Sequence, residues 1–185
     1  MSALHVGGLL VATPKLEDPN FARAVIFIIA HDENGAFGVI LNRPLNHAVL
    51  ADVLPQWHGA AAPPAVAFSG GPVEPNRALG LARRADHEPI PGWTPVACDS
   101  GLLDLELDPR EPGLGLAAVR IYSGYAGWGS GQLEREIADD AWFVLDAVPG
   151  DLFSAEPERL FHDVLRRQAG ALAMFAHYPA DPRVN

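Results

Sequence analysis

An α+β fold is what the sequence predicts, and three observations predict it. Short β-type runs crowd the middle of the 185-residue chain, bounded by glycine and proline clusters. Helical patterns are inserted among those runs or appended after them, where a doubly wound sheet would need strict alternation. The first readable unit, "VIFIIAHDENGAFGVILN", sets two apolar, β-branched-rich runs around "DENG".

That unit predicts a hairpin over 25–31 and 36–42, because Asn34-Gly35 can take the positive φ values of tight turns. Val25 to Ile29 are apolar at consecutive positions, so both faces of the first strand should be covered and the strand should lie centrally. After Pro44, "NHAVLADVLP" predicts a short helix capped at Asn46, with Val49, Leu50, Val53 and Leu54 apolar and a stop at Pro55. Strands are predicted over 65–69, 77–83, 94–98 and 102–107. Residues 116–123 predict another, with Val119 and Ile121 on one face and Arg120 and Tyr122 on the other.

The stretch "YSGYAGWGSGQLEREI" at 122–137 reads as a joint, with a glycine-rich exit from that strand and then a helix from about Gly131 to Asp139. Ser130 or Gly129 is the expected cap, and Leu133 and Ile137 the buried stripe. Residues 141–148 predict the next strand. "PERLFHDVLRRQ" predicts an amphipathic helix over 157–168 with Leu160, Phe161, Val164 and Leu165 inward, followed by a shorter helix and a proline-broken tail. No linker or internal repeat divides the chain, so 1–185 reads as one domain.

Composition narrows the function classes. The chain is 49% hydrophobic and 19% charged, with a formal charge of −10, which repels polyanions and disfavours direct nucleic-acid binding. Cys98 is the single cysteine, so neither an internal disulfide nor a thiolate zinc site is available, and a reducing compartment fits. The strongest apolar run, "AVIFIIA", is too short to span a bilayer and the N-terminus lacks a signal-peptide pattern, so the cytoplasm is expected and a membrane is not.

Motif by motif, the chemical readings fail on spacing. "GYAGWGSGQLE" lacks the lysine and hydroxyl residue of a P-loop, and its glycines do not follow a dinucleotide fingerprint. "AFSGG" and "IYSGY" miss the glycines of a nucleophile elbow. The seven histidines show no metal-binding spacing. Asp99 beside Cys98 raises the thiol pKa instead of activating it. No metal and no cofactor is expected, and no residue is assigned a catalytic role.

The blocks "ATPKLEDPNFARAVIFIIAHDENGAFGVILNRPL" at 12–45, "FSGGPVEPNRALGL" at 68–81 and "YSGYAGWGSGQLEREI" followed by Trp142 resemble the YqgE/AlgH family of bacterial proteins. The combination of D-P-x-F, H-x-x-x-G, N-R-P, G-G-P-V and G-Y-x-G-W-x-x-G-Q-L-E carries the resemblance. It implies an α+β fold whose bent, partly bifurcated, mainly antiparallel sheet forms a pseudo-barrel flanked by helices. Members are often labelled transcriptional regulators, after one linked genetically to alginate control, yet the resemblance brings neither an activity nor a helix-turn-helix.

Two function classes follow, with a direct DNA-binding regulator as a weaker third. The first is a regulatory or binding module, a monomer or weak dimer, acting through a protein or small-ligand partner. Its expected surface draws on Arg23, His31, Asn42, Arg43, Gly70, Gly71, Tyr125 and Trp128. The second is an enzyme whose pocket would gather Arg23, His31, Asn42, Arg43 and the Gly70-Gly71 turn, with His31 as acid or base and arginine holding an anion.

Overall fold

The computed structural model describes residues 2–84, 90–111 and 113–177. Ten strands form the sheet: β1 Gly8–Ala12, β2 Val25–Asp32, β3 Gly35–Ile40, β4 Pro44–Val49, β5 Val66–Ser69, β6 Val73–Arg84, β7 Trp93–Ala97, β8 Ser100–Leu103, β9 Leu116–Gly129 and β10 Trp142–Asp146. Four short α-helices accompany them: α1 Leu50–Val53, α2 Gln132–Ala138, α3 Pro149–Leu152 and α4 Leu160–Arg166. Helices of the 3-10 type cover Pro55–Ala60, Pro157–Arg159 and Gly170–His177.

The sheet runs β10-β1-β2-β3-β9-β6-β8-β7, with β4 joined to β5 and β5 to β9. Every pairing is antiparallel except β5 with β9. β9 is the branch point. One of its edges carries β6 along most of its length, while the other carries β5 at Tyr122 and Ser123 and β3 at Ala126 to Gly129. The α+β class and the bifurcated sheet are therefore both present.

Curling brings the two ends of the sheet together. Gly7, just before β1, lies so close to Ala97 of β7 that a Cβ on it would fall 2.4 Å from the Ala97 Cβ. Cys98 Sγ donates to the carbonyl of Ala147, just after β10, at 3.8 Å.

Alternation along the strands builds the core on both faces, as the unbroken apolar run of β2 predicts. Leu9, Val11, Val25 and Phe27 join Phe68, Tyr122 and the Leu160, Phe161, Val164, Leu165 stripe of α4. Leu10, Ile26 and Ile28 point the other way, toward Trp128, Trp142 and Leu133 of α2. A third cluster, around Trp57, Trp93, Val119 and Ile121, fills the β6–β9 end. Each such side chain, fully buried, contributes about 1.5–3 kcal/mol.

Several expectations are corrected. The hairpin forms, but Asp32 pairs with Gly35, so Glu33-Asn34 is the two-residue loop. Gly35 is the only one of the four turn residues at positive φ, and Asp32 Oδ1 accepts from the Asn34 N–H at 2.7 Å. β1 was not anticipated. The helix expected from Asn46 is mostly strand β4, because Pro44 and Val49 pair with Phe68 and Val66 of β5; only four residues remain for α1 before Pro55 opens the 3-10 turn. β8 is Ser100–Leu103, ending where a 102–107 strand was expected to begin its run.

The largest correction concerns the glycine-rich exit loop. β9 continues to Gly129, and the helix cap is Gly131 at φ 65°, not Ser130 or Gly129. Ser130 Oγ instead donates to the Glu33 carbonyl at 2.7 Å. The predicted 157–168 helix splits into a 3-10 turn and α4. The proline-broken tail and His87 lie outside the described residues.

Candidate functional site

The sheet divides at Gly70-Gly71. The Gly70 carbonyl accepts from the Ile40 N–H and its own N–H donates to the Ser123 carbonyl, both at 2.9 Å, so this residue bridges β3 and β9. A Cβ on Gly70 would sit 2.2 Å from the Gly124 carbonyl, and one on Gly71 2.3 Å from the Tyr125 carbonyl carbon and oxygen. Gly71 also has φ 150° and Gly124 φ 70°. Two backbones cross here at a separation only glycine permits.

That crossing supports an exposed bulge. The register of β6 against β9 jumps between Val73 and Ala78, leaving Glu74, Pro75, Asn76 and Arg77 exposed. Glu74 is held at φ 46°, a conformation that costs a non-glycine residue about 1–3 kcal/mol and persists where surrounding structure enforces it. Ser123 Oγ donates to the Pro75 carbonyl, and Arg77 pairs with Glu74 at 3.1 Å. Tyr125 stands opposite Val73 and meets Phe37 edge-on, ring centroids 5.3 Å apart.

Arg23, Asn42 and Arg43 gather where β2 begins and β3 ends. Asn42 is a clamp: its Oδ1 accepts from the Val25 N–H and its Nδ2 donates to the Arg23 carbonyl, both at 2.9 Å. Arg43 donates to the Ala22 carbonyl at 3.1 Å, and its own carbonyl accepts from Ser69, one residue before the fork. Burial lowers the Arg43 pKa while Asp18 opposes the shift. The Arg23 guanidinium stacks 4.4 Å over the Phe161 ring of α4, a cation–π contact.

His31 and Trp128 occupy the opposite end of the hairpin. Arg23 precedes β2 at one end, while His31 lies six residues along the strand from Val25, about 20 Å at strand rise. Its Nε2 contacts Glu134 Oε1 of α2 at 2.7 Å. Trp128 is 6% exposed, stacked on Phe21 and edge-on to Trp142. The indole N–H groups of Trp128 and Trp142 both donate to Glu136 Oε2, at 2.9 and 2.8 Å. Glu136, on the helix that carries Leu133, is the polar centre of an aromatic cluster.

The His31 contact lowers the Glu134 pKa, chiefly through its hydrogen bond. A depressed carboxyl contributes stability that is present above its unfolded value and lost as pH falls through the folded one. Wild type should therefore exceed Glu134→Gln in stability near neutrality, with the difference shrinking below about pH 4.5. Urea unfolding across that range checks it; a difference constant with pH would sink the idea.

The predicted site residues thus divide. Arg43, Gly70, Gly71 and Tyr125 adjoin the fork, Arg23 and Asn42 lie just behind it, and His31 and Trp128 are remote. The distance from His31 to the arginines leaves no single cleft in which it could act as acid or base on an anion they hold. Among the described residues no group of three His, Cys, Asp or Glu could hold a metal, and no helix is long and apolar enough to cross a membrane.

The described residues enclose hollows. One, of about 340 Å³, is lined by Pro44, Asn46, Pro64 and residues 155–159; another, of about 250 Å³, lies beside the β2–β3 turn over Phe37 and Trp128. Sequence reasoning missed Arg120, which is 1% exposed and donates to the Pro63, Leu152 and Ser154 carbonyls. An arginine between Val119 and Ile121 inside an apolar strand was the available signal.

Comparison with known proteins agrees with this architecture. The AlgH-like family matches residues 9–173. A UPF0301 protein of Streptomyces coelicolor is 51% identical over 184 residues, 97% of this chain and 94% of that protein; one from Thermobifida fusca is 45% identical over 97% and 94%. The crystal structure of protein DIP2367 from Corynebacterium diphtheriae superposes with a TM-score of 0.89 at 31% identity, covering 96% of this chain and 94% of that one. The solution structure of the AlgH protein from Pseudomonas aeruginosa gives 0.63 at 32% identity, over 92% and 98%. With the N-R-P, G-G-P-V and G-Y-x-G-W motifs at the fork and along β9, the chain belongs to the AlgH-like family.

Proposed function

We propose that this protein is a binding module that exerts a regulatory effect through a protein or small-ligand partner, with the surface around the sheet fork as its contact face. The observation that carries the reading is the exposed 74–77 bulge, held in a strained conformation by a glycine crossing. Strain in an exposed segment on a rigid base is a device for presenting side chains in one geometry. Glu74, Asn76 and Arg77 are what this bulge presents, with Tyr125 paired to Val73 at its base.

Charge supports a partner other than nucleic acid, since a formal charge of −10 opposes approach to a polyanion. The α-helices described here run four to seven residues, short for a groove-reading pair. The lone Cys98 supports a cytoplasmic setting. One domain, as a monomer or weak dimer, is part of the same proposal.

The test uses exposed residues that no core packing depends on. Partner capture by the full chain and by an Asn76→Ala, Arg77→Glu double variant is compared at matched unfolding midpoints. A loss of tenfold or more is expected. Undiminished capture removes the bulge as the contact face. Trp128→Ala is unsuitable, because at 6% exposure it opens the core by about 3–5 kcal/mol.

A further inference from the structure

Two buried polar atoms among the described residues make no hydrogen bond to protein: Arg120 Nε and the Tyr122 hydroxyl. They belong to residues two apart on β9, whose side chains share one face of that strand. Both residues are 1% exposed. The side chains beside them are apolar: the Arg120 guanidinium lies 4.3 Å over the Phe68 ring, Tyr122 meets the same ring at 5.8 Å, and Leu79 and Leu81 stand opposite on β6.

Leaving two such atoms unsatisfied in that setting is costly, and buried polar groups of native proteins are nearly always paired with protein or ordered water. The remaining nitrogens of Arg120 are satisfied by carbonyls, with Nη2 at 2.7 Å from Pro63 O and 3.0 Å from Ser154 O and Nη1 at 3.4 Å from Leu152 O. Only Nε is left over. Burial raises the Tyr122 pKa, so its hydroxyl stays protonated at neutral pH and can donate as well as accept, while Nε–H only donates.

We propose that Arg120 Nε and the Tyr122 hydroxyl together hold one internal water molecule behind the β5–β9 junction. Water accepts from Nε–H and either accepts from or donates to the phenol, which a direct contact between these two groups does not achieve here. The site is distinct from the fork surface. It completes a polar cluster that ties Pro63 and the Leu152–Ser154 segment to β9, and it needs a void of only about 10–15 Å³.

A crystal structure of the full chain at about 1.2 Å resolution or better, together with the unfolding equilibrium of Tyr122→Phe, tests this. The expected result is a solvent peak within hydrogen-bond distance of both atoms. Tyr122→Phe should raise the unfolding equilibrium constant about fivefold, the worth of one lost hydrogen bond. No peak at the site overturns the proposal, and so does a Tyr122→Phe variant as stable as wild type or more so, because an orphaned hydroxyl is better removed. Stability that rises with sodium chloride beyond its rise in sodium fluoride at equal ionic strength identifies a chloride ion there and also overturns the water assignment.

Discussion

Gly71→Ala is expected to lower stability by about 3–5 kcal/mol, from overpacking against backbone and from a dihedral that an L side chain rarely adopts. The added methyl would fall 2.3 Å from the Tyr125 carbonyl carbon and oxygen and 2.4 Å from the Ala126 nitrogen. None of these is a flexible side-chain end, so relief requires β9 and the 70–71 turn to separate. That separation would also strain the two hydrogen bonds of Gly70 that bridge β3 and β9. A loss of this size is a large share of the 5–15 kcal/mol that a typical domain has.

Gly59→Ala is the control. It lies in a 3-10 turn with nothing within 4 Å of an added Cβ, and its stability should change by less than about 0.5 kcal/mol. Denaturant midpoints of the two variants decide the matter. Equal midpoints would mean that the crossing gives way easily, and the rigid base under the 74–77 bulge would go with it.

The parts of this fold that were legible in sequence are those whose signal is local. The β2–β3 hairpin announced itself by two apolar runs around a polar turn, and α4 by a stripe of four apolar residues. β1 was not read, because "GLLVA" is a short apolar run with no alternation; its pairing with β2 and β10 decides its state. The same holds for β4. Its apolar positions Val49, Leu50, Val53 and Leu54 fit a helix, but the pairing of Pro44 and Val49 with β5, which lies some twenty residues later in sequence, overrides them.

β9 shows why glycines mislead. Read locally, Gly124, Gly127 and Gly129 look like a loop. In the fold they are the strand positions where other backbones come near: Gly124 faces the Gly71 carbonyl, while Gly127 and Gly129 pair with Phe37 and Gly35 of β3. Of the candidate site, the resemblance drew attention to segments but said nothing of where the fold places them. His31 and Arg23 lie on one short stretch of sequence and at opposite ends of a strand, a separation that only extended geometry reveals.

Arg120→Met is expected to cost about 3–5 kcal/mol, from the loss of three hydrogen bonds made by a charged group, each worth about 1.5–3 kcal/mol, less the relief of no longer burying a cation. Methionine fills similar volume and removes the burden of burying a cation, whose desolvation already lowers the Arg120 pKa. It also leaves the carbonyls of Pro63, Leu152 and Ser154 without their donor. A buried acceptor left unsatisfied costs about 1–3 kcal/mol, and the buried Leu152 contact together with the part-buried Pro63 and Ser154 contacts outweighs the desolvation relief. Arg120→Lys keeps the charge but not the planar fork that reaches segments nearly ninety residues apart, so it should recover little.

The location of the damage separates this account from a general loss of core packing. Because Arg120 ties the chain after α3 to β9, hydrogen exchange should rise first in residues 149–167. The Asp151–Arg167 pair, with contacts of 2.5 and 2.6 Å, then remains as the main polar tie between α3 and the end of α4. A methionine variant as stable as wild type would show that the carbonyls find water at no cost. In that event Arg120 would be a tolerated passenger in the core, with no structural role for its charge.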